Sequence, residues 1–142
     1  MKPTSLLTLP AKLENLERFM DLVSAFASEM GFSGKRVQEV QLAVEEALVN
    51  VINYAYPEGT PDDVEVRCSA DEEGRGIIEI RDRGIPFDGT SLSDPELDAP
   101  ISERKVGGMG VYLIRKMANE VRYRREGDAN ILTLAFAGNR GK

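Results

Sequence analysis

The chain has 142 residues, and 18 Lys and Arg against 24 Asp and Glu give it a formal net charge of −6 at pH 7. A chain of this length buries about two thirds of its unfolded surface around one core, so we expect one domain over residues 1–142. The sequence contains no histidine. This excludes serine–histidine triads, histidine-ligated zinc and phosphohistidine chemistry within the chain, and the acidic balance argues against nucleic acid as a partner.

The N-terminal region and the single cysteine bear on the cellular compartment of the protein. Cys68 has no second cysteine with which to form an internal disulfide, which suits a reducing environment. The apolar run Leu6–Leu9 lies between Pro3 and Pro10 and is too short for a signal peptide or a membrane span. We therefore expect a cytoplasmic protein with no membrane contact.

The first elements in chain order are a short strand and an amphipathic helix. The strand is predicted over Thr4–Leu9 and ends at Pro10. The helix follows from Ala11, and Gly31 is a natural C-terminal stop. Its apolar side chains recur at spacings of three and four: Leu13, Leu16, Phe19, Met20, Val23, Phe26, Ala27 and Met30. We expect the first four of them in the core.

A second helix is predicted after Ser33, which has the side chain of an N-cap residue. The segment Pro57-Glu58-Gly59 closes it. Its apolar stripe is centred on Val44 and consists of Val37, Val40, Val44, Ala47, Leu48 and Val51.

The rest of the chain is predicted to add four strands and one more helix. Two strands near 64–69 and 76–82 form a hairpin, and two more lie near 121–125 and 131–136. Between these pairs come a long segment, Asp88–Val106, typical of a functional lid, and a helix that runs to about Ala118. The order β-α-α-β-β-loop-α-β-β predicts a two-layer α/β sandwich, with helices on one face of a mostly antiparallel, mixed sheet.

Glu46 and Asn50 form the first candidate site. They lie four residues apart on the second helix, so their side chains are neighbours, on the side roughly opposite Val44. A carboxylate beside a neutral oxygen ligand suits binding of Mg²⁺ or activation of a hydroxyl group. The same two residues also fit the solvated face of an amphipathic helix.

The segment Asp82-Arg83-Gly84 is the second candidate. Period-two alternation places Asp82 on the same face of its strand as Ile78 and Ile80, where a carboxylate needs a partner. Gly84 would let a flat ligand approach the backbone closely, so the pair could accept a hydrogen bond from an amino-bearing heterocycle. A plain Asp-x-Gly turn is the alternative.

The third candidate is the glycine cluster Gly107-Gly108-Met109-Gly110 at the start of the last helix. Backbone N–H groups at a helix N-terminus bind anions, and glycine lets phosphate oxygens come close. Arg104 and Lys105 lie just upstream and could bring positive charge to a phosphate. Loop flexibility explains such a cluster equally well, and no P-loop pattern follows it.

The order and spacing of these three motifs resemble those of the histidine-kinase-like (GHKL) ATPase superfamily. Glu45-Glu46-Ala47-Leu48-Val49-Asn50, Asp82-x-Gly84-x-Pro86-Phe87-Asp88 and the glycine cluster carry the likeness, which extends from Leu6 to about Phe136. Pro86 is a trait of the anti-sigma-factor serine kinase group, which the chain resembles more closely. The resemblance implies a single ATP-binding domain whose lid covers about residues 88–106.

The resemblance also implies roles for the candidate residues. Asn50 would bind Mg²⁺ and position the triphosphate, and Glu46 would be the general base. Asp82 would accept a hydrogen bond from the adenine amino group, with Gly84 beneath the ring. The phosphates would contact the segment around the lid end, consisting of Arg104, Lys105, Gly107, Gly108, Met109 and Gly110.

The resemblance implies that the chain is an ATP- and Mg²⁺-dependent protein serine kinase that acts as an anti-sigma or related regulatory factor. It would phosphorylate a serine on an anti-sigma antagonist with a sulfate-transporter-like domain; a sigma factor could be a further partner, and relatives often form homodimers. The sequence departs from the pattern at Tyr54, where relatives often carry a basic residue, and at Val106, where characterised kinases carry Arg. It departs again at Gly127-Asp128-Ala129-Asn130, which replaces a Gly-Thr pair.

Two alternatives follow from these residues. The first is a non-catalytic binding module that uses ATP to sequester a regulatory protein. The altered lid favours this module, whereas the intact Glu46–Asn50 pair favours the kinase. A sensor histidine kinase fragment would need a histidine from another chain.

Overall fold

The computed structural model describes residues 4–56, 61–86 and 108–138. The predicted order of helices and strands is confirmed, and two short helical segments are added to it. The elements are β1 (Thr4–Pro10), a 3₁₀ turn (Leu13–Asn15), α1 (Leu16–Glu29), α2 (Gly34–Asn50), a π-helical turn (Val51–Ala55), β2 (Asp63–Ala70), β3 (Gly76–Asp82), α3 (Gly108–Met117), β4 (Glu120–Glu126) and β5 (Ala129–Phe136).

The five strands form one sheet in the order β1-β2-β3-β5-β4. All pairings among the described strands are antiparallel, so the α/β sandwich is confirmed without a parallel pair in this part of the chain. Tight turns join β2 to β3 and β4 to β5, and such hairpins make these two of the four pairings antiparallel. Gly74 and Gly127 adopt φ values of 80° and 59° in those turns, a region that glycine enters without strain.

The core lies between the inner face of the sheet and the helices. Alternate residues of β2 and β3 are buried in one cluster with the apolar side chains of α1 and α2. Its largest fully buried members include Phe19, Phe26, Leu48, Ile78, Ile80 and Phe136. Cys68 belongs to the same cluster, and burial raises the pKa of its thiol to about 12.

Leu13 corrects the predicted core. Its side chain is 66% exposed, whereas Phe19 is buried and Leu16 and Met20 are partly buried against the core. The physical reason is that Leu13 lies in the 3₁₀ turn, before α1 begins at Leu16. The 3.6-residue period that aligns the apolar side chains of α1 does not extend to it.

The two ends of α2 follow the local sequence. The Ser33 hydroxyl accepts a hydrogen bond from the Arg36 backbone N–H, which confirms the predicted N-cap. At the other end, α2 passes directly into the π-helical turn at Val51. Residues 57–60, and with them the predicted Pro57-Glu58-Gly59 stop, lie outside the described residues.

Arg36 connects the start of α2 to two other segments by hydrogen bonds. Its guanidinium is buried and donates to the Met117 carbonyl (2.7 Å), the Ala137 carbonyl (2.8 Å) and the Asn119 side chain (2.6 Å). These bonds join the start of α2 to the ends of α3 and β5. In the described part of the chain, no helix has the length and apolarity needed to cross a membrane.

Candidate active site

One pocket opens between α2, α3 and the inner face of the sheet. Most of its wall is apolar, and its polar groups come from different elements: Asn50 from α2, Asp82 from β3, Tyr123 from β4 and Asn130 from β5. The apolar lining consists of Ala47, Val51, Ile80, Ile114 and Leu132. An apolar slot with a few converging polar groups is the usual form of a small-molecule site.

Asp82 points inward at the end of β3, as the alternation predicts. It is 5% exposed, and its Oδ1 accepts hydrogen bonds from the Gly84 backbone N–H (2.8 Å) and from Asn130 Nδ2 (2.9 Å). Within the described residues, no hydrogen bond reaches its Oδ2. Burial raises the pKa of Asp82, and the bonds from Asn130 and Gly84 and the charge of Arg125 act in the opposite direction. This carboxylate therefore retains one oxygen for a ligand.

Asn50 lies at the last residue of α2 and lines the same pocket. The alternative that it lies on a solvated face is wrong, since it is 6% exposed. Its side chain makes no hydrogen bond within the part of the chain that the structure describes, so its amide is available to a ligand. The burial follows from tertiary packing, because α2 contacts both α1 and α3 and is covered on more than one side.

Glu46 lies one turn before Asn50 on α2 and is half-buried. Partial burial raises its pKa, and the like charge of the neighbouring Glu45 raises it further. It is not among the residues that line the pocket wall described above. A carboxylate with a raised pKa beside a pocket is suited to accept a proton.

Gly84 has a structural requirement that the sequence does not reveal. A Cβ atom at this position would lie 2.3 Å from the Ala55 carbonyl oxygen and 2.5 Å from the Ala55 Cβ. The adjacent Ile85 N–H donates to that same carbonyl at 2.9 Å. The turn after β3 is thus pressed against the π-helical turn, and its glycine permits this contact whether or not a ligand binds. A place for Gly84 beneath a base stays a prediction.

The glycine cluster is described only in part. Gly108, Met109 and Gly110 are the first residues of α3, so their backbone N–H groups belong to the helix N-terminus, as predicted. Ile114, further along α3, lines the pocket. Arg104, Lys105, Gly107 and the predicted lid at about 88–106 lie outside the described residues.

Asn130, like Tyr123, is a polar pocket residue that sequence reasoning missed. It is 4% exposed and lies directly opposite Asp82 in the β3–β5 register. Its Oδ1 accepts from Tyr123 Oη (2.6 Å) and Arg125 Nη1 (3.1 Å), and its Nδ2 donates to Asp82 and to the Ile85 carbonyl (2.7 Å). The available signal was an amide near the start of the mostly apolar strand β5, in the segment that replaces the Gly-Thr pair.

Comparison with known families and structures agrees with this geometry. The sequence profile described as "Histidine kinase-like ATPase domain" matches residues 9–136. The serine-protein kinase RsbW of Halalkalibacterium halodurans is 30% identical over 124 residues, covering 84% of this chain and 75% of that protein. RsbW of Bacillus subtilis is 28% identical over 118 residues, covering 80% of this chain and 73% of that protein.

Solved structures share the fold at low sequence identity. The SiaB–SiaC complex from Pseudomonas aeruginosa contains a chain that matches with a TM-score of 0.70 at 16% identity, over 93% of this chain and 88% of that one. The RsbU and RsbW domains of Rv1364c from Mycobacterium tuberculosis match with a TM-score of 0.68 at 15% identity, over 94% of this chain and 32% of that one.

Proposed function

The chain belongs to the histidine kinase-like ATPase domain family, and on that premise we propose that it is an ATP-dependent protein serine kinase. It acts as an anti-sigma or related regulatory factor in the cytoplasm and phosphorylates a serine on an anti-sigma antagonist protein with a sulfate-transporter-like domain. Relatives named serine-protein kinase RsbW, aligned over most of their length, support this activity. A sigma factor and a second copy of the chain are further partners in this proposal.

The observation that carries the proposal is the meeting of Asn50 and Asp82 in one apolar pocket. The two residues are 32 positions apart in sequence. Each has a polar group, Oδ2 of Asp82 and the side-chain amide of Asn50, that makes no hydrogen bond with the described residues. The adenine base would lie between the apolar walls, with its amino group donating to Asp82. The triphosphate would extend past Asn50 to the N-terminus of α3, where the backbone at Gly108, Met109 and Gly110 would bind it.

Asn50 also fits a magnesium ion. An amide that lines the pocket and makes no hydrogen bond with the described residues is an oxygen ligand of the kind that Mg²⁺ accepts, and Mg²⁺ commonly takes only one or two protein ligands beside phosphate and water. The described residues contain no group of three or more acidic or thiol side chains placed to hold a metal ion, so a site made only of protein ligands is not offered there. When bound, Mg²⁺ neutralises charge on the phosphates.

Glu46 is proposed as the general base. Its carboxylate takes the proton of the partner's serine hydroxyl while the serine oxygen forms a bond to the γ-phosphorus. The bond from that phosphorus to the bridging oxygen breaks, and ADP leaves with the electron pair. The raised pKa of Glu46 brings its proton affinity closer to that of the group it must deprotonate. Arg104, Lys105 and Gly107 would contact the phosphates from the lid end.

The second candidate is a non-catalytic module that binds ATP and sequesters a regulatory protein. Val106, in place of the Arg that the kinase pattern carries before the lid glycines, is the observation that favours it. In such a module ATP is an ordering ligand, and phosphate never reaches the partner.

The test combines γ-labelled ATP, Mg²⁺ and the co-purified antagonist protein. Label on a serine of the partner supports the kinase; a stable, ATP-dependent complex without label supports the module. Glu46→Gln should lower transfer by about 10²–10⁴-fold while ATP binding is kept. Glu45→Gln, an exposed neighbour on the same helix, is the matched control and should keep transfer near wild type at pH 8. Equal rates for the two variants would remove Glu46 from its role.

A further inference from the structure

A row of polar side chains crosses three strands behind the pocket. Asp82, Asn130 and Arg125 occupy directly opposed positions of β3, β5 and β4. Side chains opposed in this way are close enough to interact. Tyr123, which lines the pocket, joins the row through its hydroxyl. The acceptor of the pocket is therefore held by a network and not by a single contact.

The chemistry of the neighbours determines which way the Asn130 amide faces. Its oxygen accepts from Tyr123 and Arg125, and its NH₂ group donates to a carboxylate and a backbone carbonyl. With the amide rotated by half a turn, NH₂ would face a guanidinium, which cannot accept, and the oxygen would face Asp82 and the Ile85 carbonyl, which cannot donate.

This orientation favours the ionised state of Asp82 and opposes the burial that raises the pKa of its carboxyl group. Two donors, Asn130 Nδ2 and the Gly84 N–H, hold Oδ1 at 2.9 and 2.8 Å, and such bonds favour the ionised form of a buried carboxylate. An ionised Asp82 only accepts hydrogen bonds. A base with an exocyclic amino group at this point is matched, whereas a base with a keto oxygen there brings two acceptors together.

We propose that Asn130, oriented by Tyr123 and Arg125, sets the base selectivity of the pocket by keeping Asp82 an obligate acceptor. The inference rests on the proposed ATP site. Asn130 is a positioning residue: it lines the pocket, but its selectivity acts through Asp82.

The test compares the dissociation constants of ATP and inosine triphosphate, which differ at position 6 of the purine by amino against keto. The wild type should bind ATP at least about tenfold more tightly. In Asn130→Asp, Tyr123 and Arg125 hold the new carboxylate ionised, and a proton is retained on Asp82, since two adjacent carboxylates do not both ionise. With this proton on Oδ2, the oxygen that faces the ligand, Asp82 donates to a keto oxygen, and the preference for ATP should fall about tenfold or more.

Two nearly isosteric variants separate selectivity from structure. Asn130→Thr retains a hydroxyl donor towards Asp82 and should keep the preference for ATP. Asn130→Val removes the donor, so the ratio of the two dissociation constants should fall several-fold. A role in folding alone would weaken both nucleotides by the same factor and leave their ratio unchanged.

The outcomes are distinct. Unchanged ratios in folded Asn130→Asp and Asn130→Val, with unfolding midpoints measured in parallel, would overturn the inference while the ATP site stands. A wild-type protein that binds neither nucleotide would instead overturn the proposed function. If Asn130→Asp does not fold, the comparison of N130T with N130V decides alone.

Discussion

Replacing Gly84 by alanine separates packing from ligand binding at the turn after β3. The new Cβ would lie 2.3 Å from the Ala55 carbonyl oxygen and 2.7 Å from the Ala55 carbonyl carbon. These are backbone atoms, so the turn or the π-helical turn must move, and the Ile85–Ala55 hydrogen bond of 2.9 Å is strained with them. Overpacking costs about 1–3 kcal/mol and a lost hydrogen bond about 0.5–1.5, so we expect a loss of about 2–4 kcal/mol.

Urea unfolding followed by circular dichroism measures this loss. With a slope of about 1–3 kcal/mol per molar urea, the midpoint should fall by about 0.7–4 M at an unchanged slope. Gly34→Ala is the matched control: Gly34 is the first residue of α2, and a Cβ there meets nothing within 4 Å. That variant should be neutral or more stable by up to about 1 kcal/mol.

The result that would refute this reasoning is a Gly84→Ala protein with wild-type stability. If such a protein also bound ATP poorly, the glycine would serve the close approach of a base, as the sequence suggests, and its contact with Ala55 would carry no energetic weight. Loss of stability together with wild-type affinity of the folded fraction would confirm packing as its role.

Three further predictions concern the helical layer. Asn50→Ala should abolish the Mg²⁺-dependent part of ATP affinity, measured by calorimetry with and without EDTA, while the unfolding midpoint changes little; equal losses in both media would contradict it. Glu45→Gln removes a charge that raises the pKa of Glu46, so this pKa should fall and the loss of transfer activity on acidification should occur at lower pH. Burial is the larger cause of the raised pKa and remains, so the change is partial. An acid half of the pH–rate profile that does not change would contradict the prediction. Arg36→Met leaves buried acceptors of two other segments without their donor and should cost about 3 kcal/mol or more in urea unfolding; a loss below about 1 kcal/mol would show that the guanidinium contacts are dispensable.

Much of the fold could be predicted because its signals are local. The period of two places Asp82 on the buried face of β3, and the N-cap at Ser33 marks where α2 begins. Gly31, with φ of 84°, ends the first helical segment by the same kind of local rule. Each of these inferences needs only a few neighbouring residues.

The site required contacts between segments that lie far apart in sequence. Asn50 was compatible with a solvated face, and only the packing of α2 against two other helices buries it beside Asp82. Asn130 lies 48 positions after Asp82, and the β3–β5 register decides that they meet. The residue pattern of a single strand does not predict which residue of another strand lies opposite to it.

The sequence by itself determined the elements, their order, the inward direction of Asp82 and the family to which the three motifs belong. The tertiary structure alone decided that Gly84 is needed for contact with Ala55, that Leu13 lies outside the core, and that Asn130 holds the acceptor of the pocket. The physical reason is the range of the interactions: backbone propensity and side-chain alternation act over a few residues. Steric exclusion, burial and hydrogen bonds across strands depend on which distant segments the fold brings together.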